Sequence, residues 1–407
     1  MKILRIIARL NVGGPARHVV WLTEALQAEG FESKLVTGSV PDGEEDMAYL
    51  AAEHGVEPIY IRQMSRELSL NDAVSLWKLL RVIYQERPDI IHTHTAKAGT
   101  VGRVGAFIYK WLRPGTLIGR PRRVKVVHTF HGHVFHSYYG KGKTMAFILI
   151  ERILARLASD KIVVITPQQL QEINAEVGVG RRDQFEVIPL GIDLSKFNAD
   201  DGGRDAFRSS LGVSEKTILI GFVGRLTEIK NVPMLLQAMR DYIKFPDAPE
   251  AKLVIIGDGH MRPALQRIVQ DLGLTSDVIF VGNRDDLGSI YAGFDIVALT
   301  SLNEGTPLSV IEAMASGRPV IATSVGGVVD LLGGETEQMD GFGLHERGIG
   351  VRSGNVDGFA KGLIYLAKNE RLRFDLGNKG HRFAIDNYGK ERLVADIRSL
   401  YVRLLEK

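Results

Sequence analysis

The amino-acid sequence predicts an α/β fold made of two Rossmann-like, doubly wound domains that face a cleft. Short apolar runs alternate with amphipathic helical stretches, a pattern typical of parallel sheets with helices on both faces. This alternation stops near residue 190 and starts again after residue 200. The chain has 407 residues, enough for two cores of about 200 residues each.

The N-terminal half contains predicted buried strands at residues 3–8, 90–92, 124–128 and 161–165, with helices at 16–29, 70–86, 100–112 and 144–158. The C-terminal half contains predicted strands at 217–223, 251–256, 278–281, 296–299 and 319–322, with helices at 232–242, 261–272, 307–316 and 356–368. Between the halves, a Pro–Gly corner at 189–193 and a polar, glycine-rich stretch at 198–205 predict a hinge.

Composition narrows the class of protein. There is no cysteine, which excludes disulfides and thiolate chemistry, and the formal net charge is only +3. Arg5 and Arg9 interrupt the first apolar run, which is too short for a signal peptide, and no stretch approaches the roughly 18 apolar residues of a spanning helix. We therefore expect a cytoplasmic protein.

Residues 110–125 hold a run of cations without an acid. They are Lys110, Arg113, Arg120, Arg122, Arg123 and Lys125. Such a patch is typical of a surface that meets anionic lipid, a lipid diphosphate or nucleic acid, although a solvated basic loop is an equal alternative. Of these partners we expect a membrane surface and no nucleic acid.

The strongest candidate for a binding loop follows the predicted strand at 296–299. Thr306 is expected to cap the next helix and Pro307 to occupy its first position. The amides of Leu308 and Ser309 would then be unpaired at the positive end of the helix dipole, where a phosphate fits.

Two carboxylates flank that loop. Glu304 precedes the cap, where it is placed to accept hydrogen bonds from sugar hydroxyls, and Glu312 lies eight residues later, where it suits a pair of ribose hydroxyls. The alternative is that Glu304 only caps the helix and Glu312 is an ordinary charge on a helix face.

A second loop follows the strand at 217–223 and carries Arg225 and Lys230. Together these cations would neutralise charge on a leaving diphosphate, unless they are two surface cations in a turn. Gly257, Asp258 and Arg284 follow the next two strands, and their backbone is expected to meet the edge of a base, although a Gly-Asp-Gly sequence is usually just a turn.

The N-terminal half offers a double glycine and a concentration of histidines. Gly14 ends a glycine pair that permits close approach of an anion or sugar, without the third glycine of a dinucleotide fingerprint. The histidines are His92, His94, His128, His131, His133 and His136. His131 follows a strand and is expected to face a ligand, whereas His92 and His128 suit a core, and no metal is expected.

These motifs together resemble the retaining glycosyltransferases of family 4, which have the two-domain GT-B fold. The resemblance rests on Arg225 with Lys230, on the Glu304–Glu312 pair within Glu-Gly-Thr-Pro-Leu-Ser-Val-Ile-Glu-Ala, and on His131 after Thr-Phe. It departs from many relatives at Gly305–Leu308, where an aromatic residue followed by glycine is common, and this leaves the contacts to the donor sugar open.

The resemblance implies a role for each residue. Arg225 and Lys230 bind the donor diphosphate, Glu304 touches the donor sugar, and Glu312 holds the ribose. The remaining contacts are Thr306, Leu308 and Ser309 to phosphate and sugar, His131 beside the reacting sugar, Gly14 at the diphosphate or acceptor, and Gly257, Asp258 and Arg284 near the base. The implied domains are 1–190, which binds the acceptor and receives a returning helix at 388–407, and 191–387, which binds the donor.

The implied reaction transfers a hexosyl unit from a nucleotide diphosphate sugar, UDP-sugar foremost, to a hydroxyl of a saccharide or lipid-linked acceptor with retention of configuration. No metal or other cofactor is required. The segment 128–139, with Tyr138 and Tyr139, resembles enzymes of bacterial surface polysaccharide synthesis, in which residues 145–157 would dock on the inner face of the cytoplasmic membrane. The alternatives are a nucleotide-sugar 2-epimerase of the same fold, a dinucleotide dehydrogenase, and a non-catalytic nucleotide-sugar-binding protein.

Overall fold

The computed structural model describes residues 1–11, 14–40, 46–64, 71–112, 114–131, 141–197 and 203–406. The chain divides into two compact units. The first contains Met1–Ile192 together with Lys390–Lys407, and the second contains Asp193–Gly389. Within the described residues, no helix is both long enough and apolar enough to cross a bilayer.

The first unit is built on a seven-stranded sheet in which every neighbouring pair is parallel. Its strands are β1 (Lys2–Arg9), β2 (Glu32–Gly38), β3 (Ile59–Tyr60), β4 (Ile90–His94), β5 (Lys125–Phe130), β6 (Lys161–Val164) and β7 (Phe185–Val187). Its first six helices are α1 (Gly14–Ala28), α2 (Ala48–Glu53), α3 (Asn71–Glu86), α4 (Ala96–Trp111), α5 (Lys141–Ala158) and α6 (Pro167–Leu170).

Both faces of this sheet are covered, as parallel sheets require. Along β1, Leu4 and Ile6 pack into a core beneath α3 and α4, while Ile3 and Ile7 point into separate clusters on the opposite face. This explains why apolar residues occupy both faces of the strand rather than alternating with polar ones, with Arg5 as the one interior exception. Helix α6 continues into a π-helical turn at Gln171–Glu176, and short 3₁₀ turns lie at Pro114–Ile118 and Arg182–Gln184.

The second unit contains an eight-stranded sheet that is parallel except at one edge. Its strands are β8 (Ile218–Val223), β9 (Ala251–Ile256), β10 (Val278–Gly282), β11 (Ile296–Leu299), β12 (Val320–Thr323), β13 (Glu335–Gln338), β14 (Gly343–His345) and β15 (Gly348–Val351). Its helices are α7 (Gly203–Ser210), α8 (Val232–Lys244), α9 (Arg262–Asp271), α10 (Leu287–Gly293), α11 (Leu308–Ala315), α12 (Val328–Leu332), α13 (Val356–Lys368) and α14 (Glu370–Tyr388). Short 3₁₀ turns lie at Ser195–Phe197 and Glu228–Lys230, and the antiparallel hairpin strands β13 and β14 pair next to β15.

Each sheet contains two adjacent parallel strands at which the strand order reverses. The orders are β3-β2-β1-β4-β5-β6-β7 and β10-β9-β8-β11-β12-β15-β14-β13. The connections therefore leave in opposite directions from β1 and β4, and from β8 and β11. Ligands of doubly wound sheets bind outside the carboxyl ends of the strands at such a switch point. The fold thus singles out the loops after β1, β4, β8 and β11.

The final helix α15 (Lys390–Leu405) belongs to the first unit. Its buried side chains recur at helical spacing and pack against Leu22 and Leu26 of α1. They are Leu393, Ile397, Leu400, Tyr401 and Leu404. At its start, Arg392 donates to the carbonyls of Pro189 and Leu190, at 2.8 Å each. The predicted hinge segment 198–205 lies partly outside the described residues.

We predict that Leu400→Ala lowers the free energy of unfolding of the first unit by about 2–5 kcal/mol, because it leaves a cavity in a closed core. The control is Val402→Ala on the exposed side of the same helix, for which we expect less than about 1 kcal/mol. Denaturant unfolding of both variants measures the difference. Equal losses would show that α15 does not complete this core.

Candidate active site

The loop after β8 packs against the residues that end and follow β9, which include Gly257 and Gly259. The Gly224 amide donates to the Ile256 carbonyl at 3.0 Å, and the Leu226 amide to the Asp258 carbonyl at 2.9 Å. A Cβ on Gly257 would lie 2.1 Å from the Gly224 oxygen, so only glycine permits this approach. Arg225, between the two fixed residues, is exposed, and no partner for its side chain is found among the described residues.

Lys230 and Glu304 meet at the β8–β11 switch point. The Lys230 ammonium donates to Glu304 Oε1 at 2.5 Å, and the Ser301 hydroxyl donates to the same oxygen at 2.6 Å. Both side chains are largely buried, with 19% and 12% of their surface exposed. Shielding from water strengthens the Coulomb attraction between the two groups, and the contact fixes them relative to each other.

The backbone around Glu304 has a second support that the sequence analysis missed. Gly326 has a φ of +51°, and a Cβ there would lie 1.9 Å from the backbone carbonyl oxygen of Glu304. A Cβ on Gly327 would lie 1.8 Å from the Gly305 oxygen, and the Gly327 amide donates to the Glu304 carbonyl at 3.2 Å. The double glycine, separated from an apolar strand by two residues, was the available signal.

Helix α11 begins at Leu308, one residue later than predicted. Pro307 is the N-cap, and no side chain caps the helix, so the prediction that Thr306 caps it is wrong. The physical reason is that Pro307 has an extended backbone (ψ 115°) and cannot be the first helical residue. The amides of Val310 and Ile311 reach the Pro307 carbonyl, which leaves those of Leu308 and Ser309 without an acceptor inside the helix.

Thr306 and Glu312 stand on either side of that helix start. The Thr306 hydroxyl is buried, with no hydrogen-bond partner among the described residues. Glu312 Oε2 accepts a hydrogen bond of 2.9 Å from the buried Tyr291 phenol. Burial, with the Glu312 carboxylate adding to the effect, raises the pKa of Tyr291 well above its ordinary value, so the phenol stays protonated and orients Glu312.

Asp258 and Arg284 are both engaged locally. Asp258 accepts from the Gly259 amide and from Arg262, each at 2.7 Å, and Arg284 is paired with Asp286 through two hydrogen bonds. They follow β9 and β10, outside the group formed by Lys230 and Glu304. Contact of either residue with a base therefore stays a prediction.

In the first unit, helix α1 and the ends of β4 and β5 bring three histidines together. Gly14 opens α1 and is exposed, and a Cβ there would meet nothing within 4 Å. His94 Nδ1 lies 2.9 Å from His131 Nε2, and the His18 ring packs edge-on against both. His18 was missed because a single histidine within a helix gives no signal in the sequence.

Burial lowers the pKa of all three histidines below the ordinary value, for His131 to about 4. They are therefore neutral at pH 7. Beside them, Thr95 has a φ of +66°, a strained conformation for a β-branched residue, of the kind that clusters at functional sites.

His92 is a core residue, as expected: its ring nitrogens bond to Tyr401 and Thr129. His128 is buried too and bonds to Thr93. Gly13, Arg113, His133, His136, Tyr138 and Tyr139 lie outside the described residues.

Both halves of the chain match family models. The model described as Glycosyltransferase Family 4 matches residues 12–196, and the one described as Glycosyl transferases group 1 matches residues 217–369. The chain belongs to the family 4 glycosyltransferases. The protein is therefore an enzyme of the glycosyltransferase class. Family membership favours this class over the three alternatives from the sequence, which are a 2-epimerase, a dehydrogenase and a non-catalytic binding protein.

Two similar proteins are glycosyltransferases that align with most of this chain and most of their own. The UDP-Gal:alpha-D-GlcNAc-diphosphoundecaprenol alpha-1,3-galactosyltransferase of Escherichia coli is 27% identical over 94% of this chain and 92% of its own. The capsular polysaccharide biosynthesis glycosyltransferase CapM of Staphylococcus aureus is 24% identical over 86% of each chain.

Solved structures establish the fold. Anabaena HepE in complex with UDP superposes with a TM-score of 0.79 and 20% identity, over 99% of this chain and 100% of that chain. WaaG, a glycosyltransferase involved in lipopolysaccharide biosynthesis, gives a TM-score of 0.67 and 15% identity, over 98% and 99% of the two chains. The predicted GT-B class, with two Rossmann-like domains, is confirmed.

We predict that acid destabilises this glycosyltransferase partly through His131. Its pKa is about 4 in the folded chain and about 6.5 when unfolded, so between these values the unfolded chain binds more protons. The free energy of unfolding therefore falls as the pH decreases from 6.5 towards 4, for this group by about 2 kcal/mol at pH 5.

Melting temperatures at pH 7.5 and pH 5 measure this effect. His131→Asn should lose less stability between the two pH values than the parent, with the other buried histidines accounting for the remainder. An identical loss in both proteins would contradict the prediction.

Proposed function

We propose that this glycosyltransferase moves a hexosyl unit from a UDP-sugar to a hydroxyl of a saccharide or lipid-linked acceptor, with retention of configuration, in the synthesis of a bacterial surface polysaccharide. The observation that carries the proposal is the buried Lys230–Glu304 pair beside the unpaired amides of Leu308 and Ser309. A cation, a sugar-accepting carboxylate and a helix N-terminus are brought to one switch point.

In this proposal the unit Asp193–Gly389 binds the donor. The diphosphate lies at the start of α11, where the Thr306 hydroxyl, which lacks a partner among the described residues, donates to it together with the two amides. Arg225 and Lys230 neutralise the charge that develops as the diphosphate leaves. These groups supply the positive charge, so the transfer requires no metal ion.

Glu304 holds the donor sugar while Lys230 holds Glu304. Its Oε1 is occupied by Lys230 and Ser301, which leaves Oε2 as the oxygen that accepts from a sugar hydroxyl. Glu312, oriented by Tyr291, takes the ribose hydroxyls. The acceptor hydroxyl then attacks from the face the diphosphate leaves, and the departing phosphate takes its proton. UDP is favoured because HepE binds it and the Escherichia coli relative is named for UDP-Gal.

The unit Met1–Ile192 with α15 binds the acceptor in this proposal, and His131 and Gly14 contact the reacting groups. Neutral histidine both donates to and accepts from hydroxyls, which suits a sugar rather than a phosphate. A lipid-linked acceptor is supported by the diphosphoundecaprenol in the name of the Escherichia coli relative.

We expect Lys230→Met and Glu304→Gln to lower the transfer rate by about 100-fold or more, because each removes a preorganised charge beside the reacting bond. The measurement is UDP release with a panel of UDP-hexoses and an acceptor, with the anomeric configuration of the product read by NMR. The control is Lys361→Met, which removes a paired lysine on α13 of the same unit and should leave the rate near that of the parent. Near-normal turnover in both site variants would refute the assignment.

We also propose that α5 rests on an anionic membrane surface. Its apolar side chains at every fourth position are exposed: Met145, Leu149, Ile153 and Leu157. The opposite side of the helix is fixed by the buried Arg103–Glu151 ion pair to α4, and Arg156 adds an exposed cation. Apolar side chains flanked by cations are typical of helices that lie in a membrane interface.

Leu149→Glu should lower the partition coefficient onto vesicles that contain phosphatidylglycerol by at least about 10-fold, since it replaces the proposed apolar contact with the bilayer by a charge. Co-sedimentation measures the bound fraction. Ile243→Glu, an exposed aliphatic residue on α8 of the other unit, is the matched control. Equal binding of both variants would refute the α5 surface.

A further inference from the structure

Three histidine rings lie together at the carboxyl edge of the first sheet. The ring centroids are 5.5 Å apart for His18 and His94, 4.8 Å for His18 and His131, and 5.1 Å for His94 and His131. One nitrogen from each ring can be chosen so that all three lie within 4.8 Å of one another. The rings come from α1, from the end of β4 and from the residue after β5.

These distances match a coordinated set of imidazoles. Zn–N bonds of about 2.1 Å in tetrahedral geometry place the centroids of two coordinated rings about 5 Å apart. The measured separations fall on both sides of that value.

Three of the ring nitrogens lack a partner among the described residues, whereas His94 Nδ1 and His131 Nε2 contact each other at 2.9 Å. Both ring nitrogens of His18 and Nε2 of His94 are buried, with no hydrogen bond to any described residue. By contrast, His92, two residues before His94 on β4, has a hydrogen-bond partner at both ring nitrogens. A buried polar atom without a partner costs free energy, so this cluster is adapted to an external ligand.

We propose that His18, His94 and His131 form a binding site for a divalent transition metal ion, Zn²⁺ foremost, and that the ion reversibly inhibits transfer by occupying His131. The inhibitory part rests on the proposed function of His131, whereas the binding part does not. Neutral imidazoles suit Zn²⁺, Ni²⁺ and Cu²⁺, while Mg²⁺ and Ca²⁺ require oxygen ligands. Three ligands leave a fourth position open to water or an anion. Burial keeps the pKa of these histidines low, so the metal-binding form is present at pH 7.

The experiment titrates the full chain, freed of metal by a chelator, with Co²⁺ and then with Zn²⁺. We expect one Co²⁺ per chain with the visible absorption of tetrahedral nitrogen coordination, displacement by Zn²⁺, and no competition from Mg²⁺. His18→Asn and His94→Asn should each weaken Zn²⁺ binding by at least about 10-fold, because even the loss of an outer-shell partner costs that much. Melting temperatures in chelator confirm that the variants are folded.

The control is His54→Asn, which removes a histidine of the same unit that pairs with Glu24 away from the cluster. If it weakens binding as much as His18→Asn does, or if the parent binds no tighter than the variants, the site is refuted. Zn²⁺ inhibition is measured against each protein's own rate in chelator and should be lost in His18→Asn. Binding without inhibition would overturn the inhibitory part and count against His131 in transfer. Absence of transfer in chelator with every UDP-hexose would instead count against the proposed function and leave the binding result standing.

Discussion

In each unit, two adjacent strands hydrogen-bond in parallel while the chain leaves them in opposite directions along the sheet. Helices cannot cover the gap between two connections that diverge, so the backbone amides and side chains at that point remain open to a ligand. In the second unit the gap lies between β8 and β11, and in the first between β1 and β4. Arg225, Lys230 and Glu304, which we propose bind the donor, lie on the loops after β8 and β11 that this reversal exposes.

A loop at a switch point does not by itself hold its side chains in one geometry. In the second unit, close packing of neighbouring backbone segments fixes the loops of Arg225 and Glu304. Gly257 lets the end of β9 touch the loop of Arg225, and Gly326 lets the loop after β12 touch Glu304. Loops fixed by neighbouring strands hold their side chains better than free loops do. The buried contact between Lys230 and Glu304 then joins two of these supported loops into one group.

Much of the fold was predictable from sequence because buried parallel strands are continuous apolar runs. The strands at 251–256 and 296–299 and the helix at 356–368 have the predicted bounds. Strand β2 (Glu32–Gly38) was missed because polar residues interrupt it, and the hairpin β13–β14 because glycines and acids mask its pattern. Helix α4 starts at Ala96, four residues before the prediction.

The site was predictable as a set of loop residues, but its pairwise contacts were not. The hydrogen bond between Tyr291 and Glu312 joins residues 21 apart, and the contact between Lys230 and Glu304 joins residues 74 apart. Such pairs depend on how the strands are ordered in the sheet, which single-sequence patterns do not specify. The error at Thr306 is local: a good capping residue does not cap when the next residue is a proline that stays extended.

The return of α15 to the first unit has a consequence for the order of folding during synthesis. The ribosome produces Asp193–Gly389 before the residues that close the core around Ile3, Leu22 and Leu26. The contact of buried Arg5 with Tyr401, which lies within hydrogen-bond reach of its guanidinium, likewise cannot form until Tyr401 has been synthesised. The unit that is made first is therefore the last to be completed, and the nascent chain must carry an unfinished apolar surface while the second unit folds.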